Sequence, residues 1–251
     1  MSSTTAQQAD NWDDHWQQFG PSADVGPTPK YRTRLVIKAL NLKPGVPGAR
    51  ILELGSGYGE FAKAIAEHFS SAPYLGLELS RTGVEAASKA LPRLQFKICD
   101  LLRPLDDQAI LSFQATHCVC SEVLEHLDDP LTFLLNAKPA MKSGCRLVVT
   151  VPGGPMNVFY RHIGHRKHYA PEEMKQLLEA AGFKVEEAIG AGFPFYNLFR
   201  WMLTLRGDGL INQVSGKPSL AVRTASSIFA FLFHFNLNVW GYQTLVVAKL
   251  P

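Results

Sequence analysis

Apolar runs alternate with amphipathic segments along most of the chain. Segments with helical spacing of apolar residues, such as "EFAKAIAEHF" and "GVEAASKAL", separate short runs that are almost wholly apolar. Nearly continuous apolar strands joined by helices are typical of a parallel sheet covered on both faces. The pattern therefore predicts an α/β fold with a doubly wound sheet. Five runs are predicted as its first strands: "ARILELG", "YLGLELS", "LQFKICD", "ATHCVCSEV" and "CRLVVTVPG".

The chain beyond residue 153 adds a helix, two strands and a long insertion. The strands "FKVEEAI" and "YQTLVVAKL" flank residues 191–240, which are rich in Phe, Trp and Leu and carry Arg200, Arg206 and Arg223. Connections between elements are usually about 4–6 residues long, so this insertion is a candidate cap. It is interpreted either as a lid over a hydrophobic, anionic or lipid-like acceptor, or as a surface that touches a membrane. The alternative is a satellite core or a homodimer interface.

The N-terminal segment predicts two helices. Trp12, Trp16 and Phe19 stand at i, i+4 and i+7, which indicates a short amphipathic helix able to close over a ligand. "TPKYRTRLVIKAL" predicts a second helix, with Thr28 as N-cap and Pro29 in its first turn. Three regions result: an arm with lid helices (1–45), a core (46–190 and 241–251) and a cap insertion (191–240).

Composition and charge narrow the class of protein. The 251 residues are 46% hydrophobic, which suits a globular domain, and the net charge of +3 is too small to predict a nucleic-acid partner. The polar, acidic residues 1–16 do not resemble a secretory signal, so a cytoplasmic protein is expected. The cysteines lie in apolar runs without a CxxC pair, which predicts neither disulfides nor zinc: Cys99, Cys118, Cys120 and Cys145.

A glycine-rich stretch, "RILELGSGYGEF" (50–61), follows the first predicted strand. Ligands of such sheets bind beyond the carboxyl ends of the strands, so this loop is the first candidate site. Gly55 and Gly57 fit the start of a dinucleotide fingerprint, but its third small residue falls on Glu60. A nicotinamide oxidoreductase is therefore disfavoured.

Acidic residues stand at the ends of three consecutive predicted strands: Glu53, Glu78 and Asp100. An acid at the first strand suits an amine, and one at the second can accept both hydroxyls of a ribose. The third can accept from the exocyclic amine of adenine. An amino-acid head, a ribose and an adenine in this order describe S-adenosylmethionine.

On these residues the chain resembles the class I S-adenosylmethionine-dependent methyltransferases, in particular the type 11/12 small-molecule branch that includes ubiquinone-biosynthesis-like enzymes. The resemblance implies a Rossmann-like, seven-stranded sheet of order 3-2-1-4-5-7-6 with strand 7 antiparallel. Glu78 replaces the commoner Asp, and "MKSGCR" stands where a proline-glycine-glycine turn is usual. The matching stretches are "ILELGSGYGEF", "YLGLELS", "CDLL", "CSEVLEHLDDP" and "GHRKHYAPEEMKQLLEAAGFKVEE".

The resemblance also implies which residues hold the cofactor and its product, S-adenosyl-L-homocysteine. The methionine part would lie on the glycine loop, the ribose at the second strand, the adenine at the third, and the sulfonium above the fourth. In that order the residues are Glu53, Gly55, Ser56, Gly57 and Gly59; Glu78 and Leu79; Asp100 and Leu101; Ser121 and Glu122.

Two histidines are candidate bases for an acceptor that carries a proton. His126 lies just past the fourth strand, where a neighbouring carboxylate could instead hold it; His165 lies in "YRHIGHRKHYAP". The threefold spacing of histidines in that stretch could suggest a metal site, but Gly164 disfavours a regular helix, so no metal is expected. Other residues expected at the acceptor are Tyr31, Arg161, His162, Arg166, His168, Tyr169 and Phe195.

The leading functional prediction is methyl transfer to a small molecule, with oxygen as the first choice of methylated atom. Transfer to carbon or nitrogen of a hydrophobic anionic or prenyl substrate is the alternative. An aminopropyl transferase would need paired aspartates after the fourth strand, where this chain has "SEVLEH". A non-catalytic cofactor-binding subunit is the non-enzyme alternative. The oligomeric state is left open, with a homodimer among the alternatives.

Overall fold

A seven-stranded sheet forms the centre of the protein. The computed structural model describes residues 11–20, 26–206 and 220–251, so parts of the predicted N-terminal arm and cap lie outside the described residues. The strand order within that range is β3-β2-β1-β4-β5-β7-β6, which confirms the prediction. The strands are β1 (Ile51–Leu54), β2 (Tyr74–Glu78), β3 (Gln95–Ile98), β4 (Ala115–Ser121), β5 (Met141–Pro152), β6 (Lys184–Ala191) and β7 (Gln243–Lys249).

Strand direction also follows the prediction. β3, β2, β1, β4 and β5 pair in parallel, and β7 runs antiparallel to both β5 and β6. All residues of β1 and β2 are buried, because helices cover both faces of the sheet there. Because β1 to β4 run parallel, their carboxyl ends lie at the same edge of the sheet, and the candidate residues for the cofactor lie there.

Two hydrophobic cores lie between the sheet and the helices that cover its faces. Along β1, Ile51 belongs to one core, while Leu52 and Leu54 belong to the other. The helices are α1 (Trp12–Phe19), α2 (Pro27–Leu40), α3 (Glu60–His68), α4 (Arg81–Ala90), α5 (Gln108–Leu111), α6 (Pro130–Ala137), α7 (Val158–His162), α8 (Pro171–Ala180), α9 (Phe195–Arg206) and α10 (Leu220–Leu232).

One helix start differs from the prediction. α2 begins at Pro27, and Gly26 takes the N-cap position with no side-chain hydrogen bond, so Thr28 is not the cap. The fixed φ of a proline suits the first helical position, and Pro27 takes this position two residues before the predicted Pro29.

The insertion packs on the N-terminal part of the chain. α10 contacts α2, and Tyr31 of α2 forms a third hydrophobic cluster with Tyr196 and Phe233. The insertion thus builds a satellite core while leaving large apolar side chains exposed on its outer side, among them Trp201, Phe231 and Trp240. In the described ranges, no helix combines the length and the apolar character needed to cross a membrane.

Candidate functional site

The loop after β1 depends on glycine. Gly55, Gly57 and Gly59 have φ values of +74°, +53° and +87°, a region that residues with a side chain rarely adopt. A Cβ at Gly55 would also overlap Cγ2 of Val123, and one at Gly57 would lie 2.6 Å from the ring of Trp16. The loop therefore needs glycine both for its turn and for close approach.

Glu78 ties this loop to the end of β2. Its Oε2 accepts the Gly57 N–H at 2.8 Å and its Oε1 accepts the Ser80 N–H at 2.9 Å. Burial raises the pKa of Glu78, whereas these N–H donors lower it. A carboxylate has about four acceptor positions, and Glu78 lines the cavity, so its oxygens can accept from further donors there, such as ribose hydroxyls.

Glu53 and Ser56 face the interior. The Glu53 carboxyl accepts a hydrogen bond from the Tyr74 hydroxyl, and burial raises the pKa of this carboxyl well above its usual value. Ser56 is buried next to Gly76, where a Cβ would lie 2.8 Å from the serine Oγ. Glu53 thus supports the loop from the sheet, and its predicted contact with the methionine part of the cofactor stays a prediction.

A cavity of about 620 Å³, counted with its open mouth, lies at the ends of β1 to β4. Leu79 and Leu102 are 48% and 45% exposed and give it apolar walls suited to a purine ring. Asp100 accepts the Leu102 N–H through Oδ1 at 3.0 Å. Seven residues predicted for the site line this cavity: Gly55, Glu78, Leu79, Asp100, Leu101, Glu122 and His126.

Helix α1 covers the same cavity, whose lining includes Trp12 and Trp16. The helix is fixed by Asp13, whose Oδ1 accepts from Ser80 Oγ at 2.5 Å and from the Thr82 N–H at 2.9 Å. Ser80 is the N-cap of α4, so Asp13 joins α1 to the helix that follows Glu78. The sequence reasoning missed Asp13.

Glu122 joins the cavity to a polar network. It has a φ of +58°, which is uncommon for a residue with a side chain. Its Oε1 accepts from Gln243 Nε2 at 2.9 Å, and its Oε2 lies 3.4 Å from Arg32. Ser121 instead turns to Thr150, with 2.8 Å between their hydroxyl oxygens.

Three histidines meet next to this cavity. The rings of His126 and His165 are 4.6 Å apart between centroids. His165 Nδ1 lies 3.0 Å from His168 Nε2, and His168 Nδ1 lies 3.2 Å from the Gly154 carbonyl oxygen. Since a carbonyl only accepts, His168 Nδ1 donates to it and His165 Nδ1 donates to His168. Nε2 of His165 is left with a lone pair.

Burial keeps this cluster neutral. It lowers the pKa of His126 to about 4 and, together with the nearby positive groups, that of His165 to about 2. The pKa of the buried Glu125 is raised well above its usual value, first by burial and then by Glu122. Donor atoms of Glu125, His126 and His165 lie within 4.8 Å of one another and could hold a metal ion. The expectation of no metal stays a prediction.

The other residues predicted for the acceptor are spread out. Arg161 and His162 are exposed on α7, and Arg166 lies 3.3 Å from Asp128. Tyr169 is buried in the main core, while Tyr31 and Phe195 belong to the satellite core. The side chains of Arg206 and Arg223 fall outside the described residues.

A family model described as a methyltransferase domain matches residues 29–188, more than half of the chain. The chain belongs to this methyltransferase family. It is a class I domain that depends on S-adenosylmethionine, as the sequence predicted. The described cavity fits that cofactor, with apolar walls for a purine beside a carboxylate that can accept from further donors.

Curated relatives of this methyltransferase are distant. The mitochondrial ubiquinone biosynthesis O-methyltransferase of Rattus norvegicus is 26% identical over 220 residues, which cover 77% of this chain and 62% of that protein. The ubiquinone biosynthesis O-methyltransferase of Nitrosospira multiformis is 24% identical, covering 83% of this chain and 89% of that protein. The chain thus spans about three fifths of the length of its mammalian relatives.

Solved structures share the fold of this methyltransferase. One is the complex between the Haloferax volcanii Trm112 methyltransferase activator and a methyltransferase, with TM-score 0.63, 18% identity, and coverage of 98% of this chain and 100% of that chain. Another is Haemonchus contortus phosphoethanolamine N-methyltransferase 2 with S-adenosyl-L-methionine, with TM-score 0.62, 14% identity, and coverage of 97% and 61%.

Proposed function

We propose that this methyltransferase transfers a methyl group to an oxygen of a small-molecule acceptor, with His165 as the base. The observation that carries the proposal is the hydrogen-bonded chain from Gly154 through His168 to His165. It orients a neutral imidazole, whose ring lies beside that of His126, and His126 lines the cofactor cavity.

S-adenosylmethionine, when bound, supplies a methyl group already activated by the sulfonium. The glycine loop and Glu78 hold the cofactor, and Trp12 and Trp16 of α1 exclude water from the cavity. His165 Nε2 takes the proton of the acceptor hydroxyl, while His168 and the Gly154 carbonyl hold the tautomer in which that nitrogen can accept. Positioning the reacting groups contributes more than any single proton transfer.

The low pKa of His165 has two consequences. The ring is unprotonated throughout the neutral pH range, so it is always ready to accept a proton. It is also a weak base until charges around it change, since a catalytic base works best with a pKa near the operating pH. His126, with a pKa of about 4, is the second candidate base.

An acceptor resembling a hydroxylated ring is favoured by the relatives named for ubiquinone biosynthesis. Carbon or nitrogen methylation of a hydrophobic anionic or prenyl substrate is the alternative, and a nucleophile without a proton would not need His165. Exposed aromatic residues of the insertion, Trp201, Phe231 and Trp240, support peripheral contact with a membrane or a lipid-like acceptor.

Methyl-labelled cofactor and a panel of catechols and phenols test the proposal. We expect labelled methyl ethers from the wild type and a turnover about 10²- to 10⁴-fold lower in His165→Ala. The affinity for S-adenosyl-L-homocysteine should not change, and His162→Ala, on the exposed part of the same segment, should keep full activity. Full activity in His165→Ala would mean that His126 is the base or that the reaction uses no base. The absence of any labelled small molecule would favour the non-catalytic alternative.

A further inference from the structure

Arg200 carries a buried charge with no carboxylate in direct contact among the described residues. The residue lies on α9 and is 7% exposed. The hydrogen bond that its guanidinium makes to a described residue runs from Nη1 to the Tyr196 hydroxyl, at 3.3 Å, while Glu122 attracts its charge from farther away. No carboxylate among the described residues lies within ion-pair distance of it. A guanidinium has five N–H donors and never loses its charge, and buried charges are normally paired.

The aromatic neighbours of Arg200 are neutral. Its Cζ lies 4.3 Å from the centre of the Tyr160 ring and 5.8 Å from that of Tyr196. Burial raises the pKa of Tyr160 to about 12 and also raises that of Tyr196, so neither phenol is a counter-ion at neutral pH. The Tyr196 hydroxyl donates to Gln243 Oε1 at 2.6 Å, which leaves it only as an acceptor for Arg200.

Arg200 lies near the proposed base. The Tyr160 ring that it contacts stacks on His165, with centroids 5.2 Å apart. In the other direction, Tyr196 and Gln243 connect it to Glu122, which lines the cofactor cavity. Arg200 thus lies between the proposed base and a hydrogen-bonded chain that ends at the cofactor cavity.

We propose that Arg200 binds an oxyanion, carboxylate or phosphate, of the methyl acceptor and so selects anionic acceptors. This inference rests on the proposed function, because it concerns the acceptor side of the same site. The planar guanidinium can donate to two oxygens of either group. Arg200 comes from the insertion, whereas the residues of the cofactor cavity come mainly from the core. The anion provides a counter-charge in direct contact with Arg200, which no carboxylate of the described residues does.

Calorimetry on the protein saturated with S-adenosyl-L-homocysteine tests the inference. The probes are 3,4-dihydroxybenzoate, its neutral amide, and phenyl phosphate. We expect at least one anionic probe to bind the wild type about tenfold tighter than the amide. Arg200→Met should remove this preference and leave the affinity for S-adenosyl-L-homocysteine unchanged, whereas the control Arg93→Met, at an exposed position between α4 and β3, should keep the preference. The benzoate and phosphate arms show which oxyanion the site selects.

Three outcomes would overturn the inference: the same preference in Arg200→Met, a wild type that prefers the amide, or a wild type that binds S-adenosyl-L-homocysteine but no anionic probe. None of them touches the proposed function, which labelled methyl transfer decides independently. If Arg200→Met does not fold, Arg200→Lys carries the test, because it keeps the charge but not the fork. A preference reduced about threefold or more supports the inference, and an unchanged one overturns it.

Discussion

The cofactor edge and the acceptor side of this methyltransferase are built in different ways. At the cofactor edge, consecutive strand ends and one glycine loop bring Gly55, Gly57 and Glu78 together through backbone geometry. On the proposed acceptor side, His165 comes from the segment after β5 and Arg200 from the insertion, and the Tyr160 ring contacts both. The first region is defined by local sequence and the second by long-range packing.

This difference has a functional consequence. Substitutions at the cofactor edge disturb a backbone conformation that the sheet needs, so that region tolerates little change. The acceptor side can change its side chains, above all in α9, while the sheet order stays intact. A fold of this kind can keep one methyl donor and vary its acceptors.

The largest expected effect is at the cofactor edge. Gly55→Ala places a side chain at a φ of +74° and against Val123. We expect the affinity for S-adenosyl-L-homocysteine, measured by calorimetry, to fall more than about tenfold, because the loop must shift; left-handed backbone alone costs roughly 1–2 kcal/mol.

Gly144→Ala is the matched control for this substitution. Gly144 has a φ of +82°, but a Cβ there meets nothing within 4 Å, and the residue lies in β5 outside the cavity. Gly144→Ala should lower the melting temperature, because its backbone is strained, and leave the affinity for the cofactor unchanged. Equal losses of affinity in both variants would show that global strain, not the fit of the loop, governs binding.

The same contrast explains what the sequence could predict. The α/β class and the strand-end acids followed from the apolar runs and from the rule that ligands bind beyond the carboxyl ends of parallel strands, whereas the sheet order was implied by the resemblance to class I methyltransferases. Arg200 was named only together with Arg206 and Arg223, and Asp13 was not named, because an arginine on an apolar helix and an acid in a first helical turn are both ordinary. Their roles depend on contacts with residues far along the chain, such as Tyr160 and Ser80.

A second test uses the stability of the protein, which depends on pH with opposite signs through its buried histidine and its buried carboxyls. His126 has a pKa of about 4 in the folded protein, against about 6.5 in an unfolded chain. Between these values the unfolded chain binds a proton that the folded protein does not, so His126 makes the free energy of unfolding rise with pH. Its contribution is complete above pH 6.5 and is lost as the pH falls toward 4, by up to about 1.4 kcal/mol per pH unit.

The buried carboxyls of Glu53 and Glu78 act with the opposite sign. Their raised pKa values mean that the folded protein retains protons that the unfolded chain releases above pH 4.5, so they lower the stability as the pH rises. Denaturant unfolding gives the free energy of unfolding of the wild type and of His126→Asn at each pH, and the difference between them is the contribution of His126. We expect a shallower rise between pH 4 and 6.5 in the variant, with the exposed His162→Asn as control. Parallel curves for wild type and His126→Asn would contradict the assignment.

The smallest expected effect concerns α1, which links the two regions because it covers the cofactor cavity and contacts His126 through Trp12, with ring centroids 4.9 Å apart. The Ser80 hydroxyl and then the Thr82 N–H lower the pKa of Asp13, so its carboxylate is charged at neutral pH and holds α1 to α4. Asp13→Asn weakens these bonds. We expect S-adenosyl-L-homocysteine to dissociate about threefold faster, measured by stopped-flow tryptophan fluorescence.

Asp14→Asn provides the comparison for this variant. Asp14 is also an acid in the first turn of α1, but its carboxylate accepts a hydrogen bond from Asn11 and none from α4 among the described residues. Both variants remove the same charge from the start of the helix, whereas only Asp13→Asn loosens the contact with α4. If both variants accelerate dissociation equally, the helical content of α1 controls the release of the cofactor. If only Asp13→Asn accelerates it, the contact between Asp13 and Ser80 controls the release. The cofactor edge then depends on one long-range side-chain contact.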